Sequence, residues 1–143
     1  MKIIKTDASG QPQWSKLYGQ DFQADTYSTP SSINLTTDGG FVVTGSVRTG
    51  ILGPSNIWVL KLDSAGEIVW DRTLGNGNAT YGEQTTDGGY IISASKLSQQ
   101  TLIKLDGNGC SNYPTADFTA DTTHVSTGEM VTFSDASSGT SID

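Results

Sequence analysis

An all-β fold of repeated antiparallel meanders is what this sequence predicts, and three observations predict it. The stretch Ile3-Ile4-Lys5-Thr6-Asp7-Ala8-Ser9-Gly10 followed by Trp14 returns 56 positions later as Val59-Leu60-Lys61-Leu62-Asp63-Ser64-Ala65-Gly66 followed by Trp70, and a shorter copy reads Leu102-Ile103-Lys104-Leu105-Asp106-Gly107-Asn108-Gly109. A second phrase, Thr36-Thr37-Asp38-Gly39-Gly40-Phe41-Val42-Val43, alternates with the first and recurs as Thr85-Thr86-Asp87-Gly88-Gly89-Tyr90-Ile91-Ile92. Two phrases interleaved at this spacing mark a repeat architecture. Finally, 17 Gly among 143 residues, a hydrophobic fraction of 34% and abundant Ser, Thr and Asn fit many turns between short strands, and no stretch has helical periodicity.

Taken in order, residues 3 to 19 read as a hairpin, turning at Asp7-Ala8-Ser9-Gly10 and returning through a strand that carries Trp14. Asp accepts hydrogen bonds from backbone N–H groups further along the turn, and Gly takes the positive φ that the turn demands. Gln20 to Pro30 is polar and reads as loop. Ser31 to Thr37 is then a strand, Asp38-Gly39-Gly40 a turn, and Phe41 to Ser46 the returning strand. Val47 to Asn56, with Gly50, Gly53 and Pro54, reads as a second loop. In Ile57 to Asp63, Trp58, Leu60 and Leu62 alternate with Ile57, Val59 and Lys61; both faces are mostly apolar, so the strand is expected to be covered on two sides. Glu67 to Leu74 is more polar and suits an outer position. Residues 31–75 thus make four consecutive antiparallel strands. A second unit, from about Gly82 to Gly109, has the Asp87-Gly88-Gly89 turn and the Lys104-Leu105-Asp106 strand but no following Trp strand.

A repeated four-stranded meander of this length is the pattern of a β-propeller blade. The phrases resemble repeats of secreted and surface bacterial propellers of the kelch-like or quinoprotein-like kind, on the strength of Asp38, Gly39, Gly40, Gly45, Trp58, Lys61, Asp63, Gly66 and Trp70. From Pro114 onward, Ala116 to Ala120 and Val125 to Gly139 resemble the first strands of a PKD domain, an immunoglobulin-like sandwich, without that family's most distinctive segment. The fold expectation is therefore a partial β-propeller plus an incomplete β-sandwich tail. It divides into 1–19 as the last hairpin of an upstream blade, 31–75 as a complete blade and 82–110 as a partial terminal blade, followed by 111–115 as linker and 116–143 as a truncated PKD-like segment. The chain is expected to be a fragment whose sheets stay open or self-associate, its partners being further blades and sandwich domains of a parent chain.

Charge narrows the function classes. The net charge is −7, and Asp117, Asp121, Glu129, Asp135 and Asp143 lie in a tail without Lys or Arg, an arrangement that argues against a nucleic-acid surface. No run is apolar enough for a membrane span, and Met1-Lys2-Ile3-Ile4-Lys5 lacks a signal-peptide core. Two readings follow: the protein is cytosolic, or the chain is an internal piece whose export signal lies upstream, and the extracellular or cell-surface expectation takes the second. The single cysteine, Cys110, allows no intrachain disulfide and reads as a buried or loop-terminal structural thiol, a reactive nucleophile being the alternative.

The repeat positions are read structurally. Asp7, Asp63 and Asp106 open Asp-x-x-Gly turns; calcium is the alternative ligand, but the spacing is not that of a calcium loop. Asp38 and Asp87 belong to Asp-Gly-Gly hairpins with Gly39, Gly40, Gly88 and Gly89. Trp14, Trp58 and Trp70 are expected to pack between sheets, with sugar or quinone stacking as the alternative, and Lys5, Lys61 and Lys104 to form ion pairs or snorkel. His124 has no metal or triad partner in view. No residue is assigned a catalytic role and no cofactor is assigned. The sequence reads as a non-catalytic structural or binding module of a large exported bacterial surface protein, directed at glycans or proteins. The alternatives are an accessory region of a secreted hydrolase or part of a quinoprotein-like enzyme.

Overall fold

The computed structural model describes residues 1–19, 26–50, 52–96, 99–111, 118–120 and 133–135, and among these no helix occurs. The strands are β1 (Lys2–Thr6), β2 (Pro12–Leu17), β3 (Thr26–Leu35), β4 (Phe41–Thr49), β5 (Asn56–Leu62), β6 (Ile68–Asn76), β7 (Asn78–Gln84), β8 (Tyr90–Lys96), β9 (Gln99–Leu105), β10 (Phe118–Ala120) and β11 (Phe133–Asp135). They form four antiparallel sheets, in the orders β1-β2, β3-β4-β5-β6, β7-β8-β9 and β10-β11. The first three sheets lie in one compact unit, Met1–Ser111. A second unit, Asn112–Asp143, contains the two-stranded β10-β11 sheet, with Phe118 opposite Asp135 and Ala120 opposite Phe133.

β5 organises the larger unit. Alternation along a strand sends successive side chains to opposite faces, and here both faces are covered. Ile57 and Val59 join Val42, Trp70, Tyr90 and Ile92 in one core, between the four- and three-stranded sheets. Trp58, Leu60 and Leu62 join Met1, Tyr18 and Val43 in a second core, against the β1-β2 hairpin. Each of Ile57, Val59, Leu60 and Leu62 is fully buried, and such burial is worth about 1.5–3 kcal/mol per side chain. β6, at the sheet edge, buries Trp70 but exposes Asp71 and Thr73, as an outer strand should.

Several strand boundaries differ from the sequence expectation. Thr26 to Pro30, read as loop, belongs to β3, while residues 20–25 lie outside the described residues. β3 is an edge strand, and its register shifts between Pro30 and Ser32, which is where a sheet tolerates proline. β4 likewise runs on to Thr49, because Val47, Arg48 and Thr49 pair with Ser28, Tyr27 and Thr26. Asn56 opens β5 rather than closing the preceding loop. The strand that opens the second repeat, β7, starts at Asn78, ahead of the Gly82 taken from the sequence, since Asn78 and Ala79 pair with Ser95 and Ala94.

Candidate functional site

The repeated polar residues build two kinds of turn. In each Asp-x-x-Gly turn one carboxylate oxygen accepts two backbone N–H groups. Asp7 Oδ1 takes those of Ser9 and Gln11, each at 2.9 Å. Asp63 Oδ1 takes those of Ala65 and Glu67 at 2.9 and 2.8 Å, and Asp106 Oδ1 those of Asn108 and Cys110 at 2.9 and 2.8 Å. Gly10, Gly66 and Gly109 follow at φ of 84°, 77° and 75°, where a side chain is strained. A hydrogen bond from the Ser9 hydroxyl and those from the backbone hold the Asp7 carboxyl below its ordinary range. Cys110 is exposed at the end of the third turn.

The Asp-Gly-Gly hairpins add an ion pair. Asp38 Oδ1 accepts from Thr36 Oγ1 at 2.5 Å and from the Gly40 N–H at 3.0 Å, and Lys61 Nζ donates to Asp38 Oδ2 at 2.8 Å. The Lys61 side chain is 3% exposed and the Asp38 side chain 58%, so a buried stem delivers an ammonium to a carboxylate at the surface. The second copy repeats this: Asp87 Oδ1 accepts from Lys104 Nζ at 2.8 Å, Thr85 Oγ1 at 2.5 Å and the Gly89 N–H at 3.0 Å. Lysine first, then threonine and backbone, hold both carboxyls well below the usual range. A carboxyl held acidic by folding stabilises the fold above its unfolded value of about 3.9 and loses that contribution as pH falls through the folded value. Urea midpoints are therefore expected to fall steadily from about pH 5 to about pH 2, and the Asp38→Asn/Asp87→Asn double variant to show a shallower slope over that window. Parallel slopes would show that the pairs contribute nothing.

The tryptophans join one sheet to the next. A β-carbon on Gly66 would lie 2.9 Å from the Trp14 ring, and one on Gly109 2.8 Å from the Trp70 ring, so each indole lies directly on the turn glycine of the following sheet. Trp14 Nε1 donates to the Ser64 carbonyl at 3.4 Å and Trp70 Nε1 to the Gly107 carbonyl at 3.3 Å. The rings meet Phe41 and Tyr90 edge-on, at 6.1 and 5.2 Å between centroids. Trp58 instead lies buried in the second core and donates to Asp71 Oδ1 at 2.7 Å. Gly39 and Gly88 sit at φ of 77° and 83° with open space around them, whereas Gly40 and Gly89 are packed against Leu62 and Leu105 backbone and the two lysines. Lys5 Nζ reaches the Ser64 carbonyl at 3.4 Å. His124 lies outside the described residues.

No repeat residue lines a polar groove of about 630 Å³ bordered by Tyr27, Ser28, Ser46, Arg48, Ser55 and Asn78. The Arg48 guanidinium stands 5.1 Å from the centre of the Tyr27 ring, a cation–π arrangement, and Tyr27 is 42% exposed. Ser55 Oγ donates to Asn78 Oδ1 at 2.7 Å, tying one rim to the start of β7. All but Asn78 fall within or beside the two stretches read as loop, and Asn78 precedes the stretch assigned to the second repeat, so nothing in the repeats pointed to them. Their signal was composition alone: an aromatic and an arginine among serines and threonines. Among the described residues, no three of His, Cys, Asp or Glu gather as metal ligands would, and no helix is long and apolar enough to cross a membrane.

A scan against protein-family models finds no match, and searches of curated proteins and of solved structures find none either.

Proposed function

We propose that the chain is a non-catalytic structural and binding module built from β-propeller blades, part of an exported bacterial surface protein, with a PKD-like sandwich following the blades. The observation that supports it best is the seam between sheets: an indole of one repeat on the turn glycine of the next, found twice with the same partners. Such a seam is what stacked blades require, because each meander leaves a hydrophobic face that only its neighbour covers. The recurring Asp, Lys and Trp residues are engaged in turns and seams, so they serve the scaffold. Ligand recognition then falls to the groove around Tyr27 and Arg48. Hydroxyls, an amide, a guanidinium and an exposed phenol ring suit a polyhydroxylated ligand, and a glycan is the class they fit. On a glycan array the chain is expected to retain a saccharide, and Tyr27→Ala or Arg48→Ala to weaken it by about ten-fold. Retention of no glycan, or equal retention by both variants, would remove the glycan reading.

A further inference from the structure

We propose that the open edge of β1, with the groove beside it, is a seat for an antiparallel Thr-x-Asp-Gly-Gly hairpin supplied by another repeat-bearing polypeptide segment. The proposal rests on the stacked-repeat reading above. β1 corresponds in the repeat to β5 and β9, and each of those has on one side a strand that leaves an Asp-Gly-Gly turn, β4 for β5 and β8 for β9. Among the described residues β1 pairs with β2 alone, so no described strand takes up the N–H and C=O groups of its other edge.

Lys5 gives the edge its charge complementarity. Its counterparts Lys61 and Lys104 each donate to the Asp of such a hairpin at 2.8 Å. Lys5 Nζ has the Ser64 carbonyl at 3.4 Å and stands 5.7 Å from the centre of the Phe41 ring; among the described residues no carboxylate lies within ion-pair distance of it. An aspartate placed as Asp38 and Asp87 are placed would supply the missing partner.

The groove between β1 and β3 supplies the apolar contact. It encloses about 410 Å³ and is lined by Ile3, Ile4, Pro30, Ile33 and Val43 among others. In β7 the residues corresponding to Pro30 and Ile33 are Ala79 and Gly82, and both are buried where β7 packs on β3 and β4. That packing is pinned by Asn34 Nδ2 donating to the Gly82 carbonyl at 2.8 Å and by the Gly82 N–H donating to Ser32 Oγ at 3.2 Å. Pro30 is exposed, and Ile33 and Leu35 are 49% and 73% exposed. A hairpin paired to β1 would cover them as β3 and β4 cover β7, extending an interface already present. The folded chain is a poor donor to a second copy of itself, since its own Asp-Gly-Gly strands are paired on β5 and β9 and their aspartates are bound to Lys61 and Lys104.

The test titrates the full chain with a synthetic peptide of residues 78–96, which carries the Asp87 turn between its two strands. Binding is read from amide NMR shifts. The expected result is shifts concentrated in Lys2–Thr6 and around Ile33. Affinity should drop about ten-fold when the peptide carries Asp87→Asn or the protein carries Lys5→Met, and no further when both changes are combined. The peptide substitution leaves the protein's folding untouched, so a misfolded Lys5→Met variant does not obscure the outcome. No β1 shifts at about 1 mM peptide, or equal affinity across all four combinations, overturns the proposal. So does a sedimentation profile showing that β1 is already occupied by a second copy. Glycan retention is measured on the same preparation, and its survival alongside failed peptide binding would discard the seat while leaving the module reading in place.

Discussion

Trp70→Ala is expected to lower the free energy of unfolding by about 3–5 kcal/mol, the range for removing a large buried aromatic side chain. Trp70 is 9% exposed and sits in the core shared by the four- and three-stranded sheets, against Tyr90 and the Gly109 turn. Its removal opens a void that Tyr90 and Ile103 cannot fill without leaving their own strands, and it frees the Gly107 carbonyl from the indole N–H. A small domain has about 5–15 kcal/mol in total, so the seam between those two sheets is expected to open well before the rest. Urea unfolding with β9 amide exchange as a second probe checks this. Trp14→Ala supplies the contrast, because Trp14 is only partly buried and makes the longer aromatic contact, 6.1 Å against 5.2 Å. A loss at Trp70 no larger than at Trp14 would contradict the account.

Gly40→Ala is expected to cost about 3 kcal/mol or more, at the upper end for overpacking. A β-carbon there would collide with the Leu62 carbonyl oxygen, meet Lys61 Nζ at 2.6 Å and approach Asp38 Oδ1 at 3.1 Å. The lysine tip can move, but the carbonyl belongs to the β4–β5 ladder, and displacing it unpairs Phe41 from Leu62. The neighbouring Gly39→Ala meets no atom within 4 Å, so its cost is only that of a positive φ, 77° here, about 1–2 kcal/mol. Adjacent glycines of one turn thus separate two causes, steric closure and backbone strain, and urea midpoints of the two variants distinguish them. Equal losses would show that the ladder yields easily.

Much of the all-β organisation was legible because its signals are local. The Asp-x-x-Gly and Asp-Gly-Gly turns state their own geometry in four residues, and the mostly apolar Ile57 to Leu62 run announced a strand covered on both faces. What escaped depends on cross-strand pairing. Thr26 to Pro30 read as loop for its polarity, yet it is strand because it pairs with Gly45 to Thr49, and Val47 to Thr49 is strand because Thr26 to Ser28 lie beside it. The same pairing brings Tyr27 under Arg48, 21 positions apart in the chain, which no repeat spacing encodes. The repeats showed that tryptophans and glycines recur together. They did not show that the indole of one copy rests on the glycine of the next, because an offset within a copy and an offset between copies leave the same periodic trace.

That placement bears on how such a polypeptide changes over generations. Because each indole depends on a glycine in the adjoining copy, the two positions are free to drift only as a pair, and the pair straddles the boundary of the duplicated segment. Gain or loss of one whole segment by unequal recombination leaves every remaining junction with its indole and its glycine. An array of this kind can lengthen or shorten in whole steps without compensating mutations elsewhere.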